Sequence, residues 1–324
     1  MIYKRFQALF NPDRYHGWGK KRRYFEGWYY KVSTADEKHA FAFIPGVAMD
    51  NEGRQQAFIQ VLDGKKLTST YHKFHINNFS SKSDVFFTTI ENNNFKNELI
   101  ELDLPKVKGK LRFTNQIPWP NQWYSPGIMG PFAFVPMMEC YHGILSMDHR
   151  IEGALEIEDE RIDFTGGRGY MEKDWGQSFP SAYIWMQTNH FCQPATSLKV
   201  SVAKIPWMTS SFVGFIAGLY FENKLIQFTT YNQSRLIRSN ADQNVVEIIL
   251  QNRKYRLEIN VKRSEATELA SPILGFMDGR ISESMTSTVH VKLINTPTEK
   301  VVFEDTGRNA GLEVAGKLSE IIIV

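Results

Sequence analysis

Apolar and polar positions alternate in short runs along most of this chain, and turn residues separate the runs. Residues 58–62 lead into Asp63-Gly64, a dipeptide suited to a tight hairpin turn. Residues 85–90 and 98–102 flank Asn92-Asn93-Asn94, and residues 219–221 and 225–228 flank Glu222-Asn223-Lys224. The pairs 245–250 with 255–261, and 289–293 with 301–303, repeat the arrangement, the last around Thr296-Pro297-Thr298. No convincing amphipathic helix exceeds about three turns. Short strands with turns at this frequency predict an all-β sandwich or barrel.

Two alternating runs carry candidate chemistry. In residues 23–33, Glu26, Trp28 and Tyr30 fall on one face of a strand and Phe25, Tyr29 and Lys31 on the other. If residues 170–175 are extended, Tyr170, Glu172 and Asp174 share one face, while Met171, Lys173 and Trp175 share the other. Two acids on one face, roughly 7 Å apart from the rise per residue, do not ionise independently when buried. One then keeps its proton near neutral pH and becomes a general acid. The plain alternative is a strand end with two solvated acids. After Pro180 a further alternating run sets Tyr183, Trp185 and Gln187 on one side.

Residues 117–136 interrupt the pattern with Pro118, Pro120, Pro126, Gly127, Gly130, Pro131 and Pro136. Their Trp119, Trp123, Phe132 and Phe134 suggest an ordered connection packed over a barrel mouth or between domains, rather than a solvated linker. Residues 11–24 are polar and basic, ending in Lys20-Lys21-Arg22-Arg23, and read as a solvated arm. The run Thr165-Gly166-Gly167-Arg168-Gly169 marks a boundary candidate, giving domains 1–165 and 166–324.

Composition narrows the function classes. The 324 residues are 42% hydrophobic and 23% charged, as in globular proteins, and the 13% aromatic content suits strands and apolar pockets. A net charge of +3 is too small to argue for nucleic acid. Cys140 and Cys192 form no metal or redox spacing, and with no apolar leader or run near 20 residues the expectation is a cytoplasmic protein. There is no phosphate-binding glycine loop, dinucleotide fingerprint, zinc-ligand spacing or nucleophile elbow. His142 and His149 are seven apart around Asp148, too little for a metal centre, so neither metal nor cofactor is expected. The chemistry left is carboxylic acids among aromatics.

Residues 23–32 resemble the N-terminal signature of tocopherol cyclases. Gly169-Tyr170-Met171-Glu172-Lys173-Asp174-Trp175-Gly176, with Phe179-Pro180, Trp185 and Gln187 after it, resembles their central signature, where the run reads Ser-Glu-Lys-Asn-Trp-Gly. Residues 130–146 resemble the family's proline-rich approach, and residues 278–316 its final strands. Asp174 stands where the plant enzymes carry asparagine, which moves weight onto Glu172. The resemblance implies two lipocalin-like antiparallel β-barrel domains packed side by side, as in related carotenoid hydratases and pericyclases. It also implies an isomerase that protonates the alkene of a prenylated hydroquinone and closes a chroman ring by phenol attack. Glu172 and Asp174 are then the catalytic candidates. Glu26, Trp28, Tyr30, Tyr170, Trp175, Tyr183, Trp185 and Gln187 are the substrate-binding candidates. The partner is an apolar isoprenoid collected by transient peripheral membrane contact, with no nucleic acid. The alternatives are a hydratase or pericyclase acting on another isoprenoid, and a non-catalytic carrier.

Overall fold

A computed structural model describes residues 2–323. It is all-β, with two antiparallel sheets of 12 and 10 strands and one short N-terminal helix, α1 (Ile2–Leu9). Two compact units divide the chain: Met1–Phe179 with Leu269–Arg280, and Pro180–Glu268 with Ile281–Val324.

The first unit holds β1 (Tyr24–Ser33), β2 (Ala40–Met49), β3 (Gln55–Asp63), β4 (Thr68–His75), β5 (Phe79–Ser81) and β6 (Thr88–Ile90). It continues with β7 (Asn93–Phe95), β8 (Leu99–Leu104), β9 (Val107–Thr114), β10 (Cys140–Ile157), β11 (Glu160–Asp163) and β12 (Arg168–Gly176). Their order is β4-β3-β2-β1-β12-β10-β9-β8-β7-β6-β5, with β11 beside β10. The boundary expected at 165/166 is therefore wrong. β12 is hydrogen-bonded between β1 and β10, and a cut at the Gly166-Gly167 turn would strip an interior strand from its sheet. One face of this sheet carries the apolar core, including Trp28, Tyr30, Phe43, Phe95, Leu111 and Met171. The opposite face receives the hairpin of residues 269–280. Gln60 on β3 both donates to the Ala270 carbonyl and accepts from its amide, each at 3.0 Å.

The second unit holds β13 (Ala182–Thr188), β14 (Ser197–Trp207), β15 (Ser210–Phe221), β16 (Lys224–Thr229) and β17 (Arg235–Ala241). Its sheet ends with β18 (Val245–Gln251), β19 (Tyr255–Lys262), β20 (Thr267–Ile273), β21 (Phe276–Asn295) and β22 (Lys300–Gly316), of which residues 269–280 of β20 and β21 belong to the first unit. The order is β16-β15-β14-β13-β22-β21-β19-β18-β17, with β20 beside β21. Ile184, Met186, Val200, Leu257, Val291 and Leu312 fill its core.

In each sheet the two edge strands are consecutive in the chain: β4 and β5 in the first, β16 and β17 in the second. Only Ile76–Asn78 separates β4 from β5, so the ends they join lie within about 14 Å of each other.

Local chemistry explains most turns. The Asp63 carboxylate accepts from the Lys65 and Lys66 amides, both at 3.0 Å. Glu222 and Asn223 both take positive φ, as a two-residue hairpin turn requires. The asparagine cluster differs from expectation. Asn93 and Asn94 lie in β7, and the buried Asn93 side chain bonds the Ile90 carbonyl and the Asp103 amide, so only Glu91 and Asn92 turn.

His149 on β10 is buried in this first sheet. Its ring packs 4.5 Å from that of Phe113, its Nδ1 lies 3.1 Å from Ser146 Oγ, and burial lowers its pKa from 6.5 to about 3. An imidazole held neutral in the fold binds a proton on unfolding, so this contribution is complete above about pH 6.5 and is lost as pH falls toward 3. Urea unfolding is expected to show stability falling between pH 6.5 and 4.5, and His149→Phe is expected to flatten that slope. An unchanged slope in the variant would contradict the assignment.

Candidate active site

β12 builds two different sites from one alternating sequence. Its register sets Asp174 opposite Gly27 and Glu172 opposite Tyr29 on β1, and Asp174 opposite His142 and Glu172 opposite Ile144 on β10. Tyr170, Glu172 and Asp174 thus share a face, as the sequence pattern predicts, and His142 joins them. The Tyr170 hydroxyl donates to Glu172 Oε2 at 2.5 Å, and His142 Nε2 lies 3.6 Å from the same oxygen. His142 Nδ1 is 2.6 Å from Asp174 Oδ1. Glu172 is 3% exposed, whereas the Asp174 side chain is 23% exposed. The acids are therefore not a simple pair. An imidazole lies between them, hydrogen-bonded to the partly exposed Asp174 and 3.6 Å from the buried Glu172 without a hydrogen bond to it.

His142, Glu172 and Asp174 also form the metal-ligand cluster found among the described residues, with one ligand atom of each within 4.8 Å of the others. The sequence spacing paired His142 with His149 instead, but Asp148 is held by Arg168 at 2.6 and 2.9 Å and His149 packs elsewhere. A cation at the cluster would displace the bond between His142 and Asp174. The arrangement is suited to moving protons.

The other face of β12 carries Lys173. Its Nζ is 2.5 Å from Glu26 Oε1, 2.8 Å from His16 Nδ1, and 4.8 Å from the ring centroids of both Trp28 and Trp175. It also donates to the Arg14 carbonyl. Glu26 accepts from the amides of His16 and Gly17 at 2.9–3.0 Å and from the Tyr24 hydroxyl. Burial alone would raise the Glu26 carboxyl, but Lys173 and His16 outweigh it and hold it below the usual range. Burial, then Lys173, lowers His16, which accepts from Lys173 as a neutral ring. Every group here has a partner within the fold, which gives Glu26 a structural role.

Trp28 stacks on Phe86 and donates to the Asp13 carbonyl. Tyr30 packs against Phe95 and Phe113. Trp175 stacks on His16, ring centroids 4.0 Å apart. Trp28, Tyr30 and Trp175 thus lie on the sheet face opposite Glu172, and as substrate-binding candidates they are not brought to its carboxylate. The arm expected to be solvated is also corrected: Tyr15 and Gly17 are buried and His16 enters this network. Within Glu172's own face the aromatic neighbour is Tyr29, 6.5 Å from the Tyr170 ring.

The remaining candidates sit in the second unit. Tyr183 donates to Glu313 Oε2 at 2.7 Å, and Lys199 Nζ lies 4.9 Å from the Trp185 ring and 2.7 Å from Ser201 Oγ. Gln187 is fully buried, and neither atom of its amide has a hydrogen-bond partner. A Cβ at Gly311 would stand 2.8 Å from Gln187 Nε2 and 2.9 Å from the Trp185 ring, so only glycine leaves these side chains their space. Sequence reading missed Lys199 and Glu313, and it named His142 only together with His149, not with Asp174.

A family described as tocopherol cyclase-like matches residues 97–316, which include His142, Glu172, Asp174 and the second-unit cluster but not residues 23–33. A probable chloroplastic tocopherol cyclase of Oryza sativa subsp. japonica is 23% identical over 70% of this chain and 60% of its own length. A chloroplastic tocopherol cyclase of Zea mays is 23% identical over 67% of this chain and 58% of its own. The chain therefore spans about 60% of the length of these curated relatives. Among solved structures, CghA with Sch210972 superposes with a TM-score of 0.57 at 11% identity, covering 91% of this chain and 89% of the other. Kievitone hydratase from Nectria haematococca superposes with a TM-score of 0.50 at 10% identity, covering 91% and 89%. These likenesses concern the fold.

The buried ion pair yields a stability test. Glu26→Gln leaves the Lys173 ammonium without its counter-charge, and a loss of about 3–5 kcal/mol is expected in urea unfolding. Combining it with Lys173→Met is expected to cost clearly less than the sum of the two single changes. Additive losses would mean that the pair is not coupled.

Proposed function

The chain belongs to the tocopherol cyclase-like family, and from that premise we propose that it is an isomerase that closes a ring on a prenylated hydroquinone or phenol. The observation that carries this reading is the buried Glu172, bonded by Tyr170, with His142 3.6 Å away and itself bonded to the more exposed Asp174.

In this proposal Glu172 gives its proton to the less substituted carbon of the trisubstituted alkene. The tertiary carbocation left behind accepts a lone pair from the phenol oxygen, and one C–O bond forms. The phenolic proton returns to Glu172 directly or through Tyr170, so substrate and product have the same formula. His142 and Asp174 let the proton held by Glu172 exchange with solvent between turnovers, with no net uptake. The chemistry asks for no redox partner and no cofactor. Water must be kept from the cation, or the product is an alcohol.

The finer architecture belongs to the same proposal. Each sheet is taken as a lipocalin-like barrel, because its edge strands are tied together by short links. Within the second unit by itself, Tyr183, Trp185 and Gln187 are assigned to holding an apolar ligand, with the free Gln187 amide as donor and acceptor and the Trp185 ring as an aromatic surface.

Incubation with prenylated hydroquinones in detergent micelles is expected to give a product of unchanged mass and shifted chromatographic retention. Glu172→Gln is expected to lose roughly 10²–10⁴-fold in turnover, as removal of a general acid does, while still binding substrate. Asp174→Asn is expected to lose less, since it removes only the outer end of the relay. A product heavier by one water identifies a hydratase. Substrate that is retained but unchanged identifies a carrier, and full activity in Glu172→Gln overturns the site.

A further inference from the structure

The proline-rich segment expected to be packed away is half exposed. Trp119 is buried, but Trp123 is 79% exposed and Met137 is 86% exposed, with Tyr124 and Phe134 also open to solvent. Helix α1 exposes two more large side chains, Tyr3 at 70% and Phe6 at 61%. The two segments are joined. Phe10 stacks edge-on between Phe6 and Phe134, with ring centroids 5.2 and 6.0 Å away, and Asn121 Nδ2 donates to the Phe10 carbonyl at 2.7 Å. The 3-10 turn of residues 127–134 is tied to the same asparagine through the Gly127 amide. Exposed aromatics joined in this way are an apolar surface that water does not favour.

Charge sets the partner. Residues 2–12 and 117–138 contain no acidic side chain. Lys4 and Arg5 project from α1, where Arg5 Nε bonds the Trp18 carbonyl at 2.7 Å and Lys4 Nζ lies 4.1 Å from the Trp18 ring. That tryptophan opens the exposed basic run Lys20-Lys21-Arg22-Arg23. Aromatic residues beside lysines and arginines are the composition of a surface that lies in the headgroup region of an anionic bilayer. Among the described residues no helix is long and apolar enough to cross a membrane.

We propose that α1 and residues 117–138 of the first unit form a docking surface for an anionic lipid bilayer, with Tyr3, Phe6, Trp123, Phe134 and Met137 entering the interface and Lys4, Arg5 and Lys20–Arg23 facing the headgroups. The surface stands on exposure and charge and does not depend on the proposed reaction. It does supply what that reaction needs, access to a substrate dissolved in lipid.

Flotation with large unilamellar vesicles tests it without any substrate. Binding is expected to vesicles of phosphatidylcholine containing about one third phosphatidylglycerol, with weaker binding to phosphatidylcholine alone. Raising the salt should reduce it, by screening the headgroup attraction. The double change Phe6→Ser with Trp123→Ser is expected to lower the partition coefficient at least tenfold, with the thermal unfolding midpoint unchanged because both side chains are exposed. Binding by the variant equal to that of the unmodified chain overturns the proposal, as does failure of the unmodified chain to float with either vesicle. Self-association in solution that the double change abolishes, without vesicle binding, overturns it in favour of an interface between copies.

Discussion

The buried contact between Lys173 and Glu26 is the constraint on which the rest of the first unit depends. β-Strand side chains alternate, so a register slip of one residue would carry an ammonium to the Glu172 face and a carboxylate into the aromatic core. Either displacement would leave a buried charge unpaired. With Lys173 held by Glu26, His16 and the Arg14 carbonyl, β12 has one register between β1 and β10. That register sets His142 beside Asp174, on the face that Tyr170 and Glu172 share by alternation within β12. The lysine between the two acids therefore acts through position. It fixes the strand from one side and leaves the carboxylates of the other side to chemistry.

This division separates rigidity from reactivity. The Glu26 network is closed, since each donor meets an acceptor inside the fold. The Glu172 row is open toward Asp174, whose side chain keeps a share of solvent contact. A carboxylate that gives and regains a proton needs such an outlet, whereas one that pins a strand does not. The second unit repeats part of the design in other residues. Lys199 sits over Trp185 beside the free amide of Gln187, on the face of its sheet away from the core residues Ile184 and Met186.

How far the sequence spoke depended on the range of the contact. The all-β class and most hairpins could be read from turn chemistry, because Asp63-Gly64 and Glu222-Asn223 settle their own geometry. The common face of Tyr170, Glu172 and Asp174 followed from alternation alone. His142 did not, because it reaches Asp174 by a pairing across 32 positions that no local pattern encodes. Grouping Trp28 and Tyr30 with Glu172 in one set of site candidates failed for the same reason, since alternation assigns faces within a strand and pairing relates the faces of two strands. The arm of residues 11–24 was masked by its basic run, although Tyr15 within it joins the core and His16 joins the Lys173–Glu26 network. The domain boundary was missed because the turn of residues 165–167 looks like a linker and is a hairpin inside the sheet.

The central claim is that a proton from Glu172 starts the reaction, and the product's isotope content reads this directly. A prenylated hydroquinone incubated with the protein in deuterium oxide is expected to give a cyclised product carrying one deuterium that does not exchange, on the carbon beside the new C–O bond. Its formation should be lost in Glu172→Gln. A cyclised product without that deuterium would contradict proton-initiated closure.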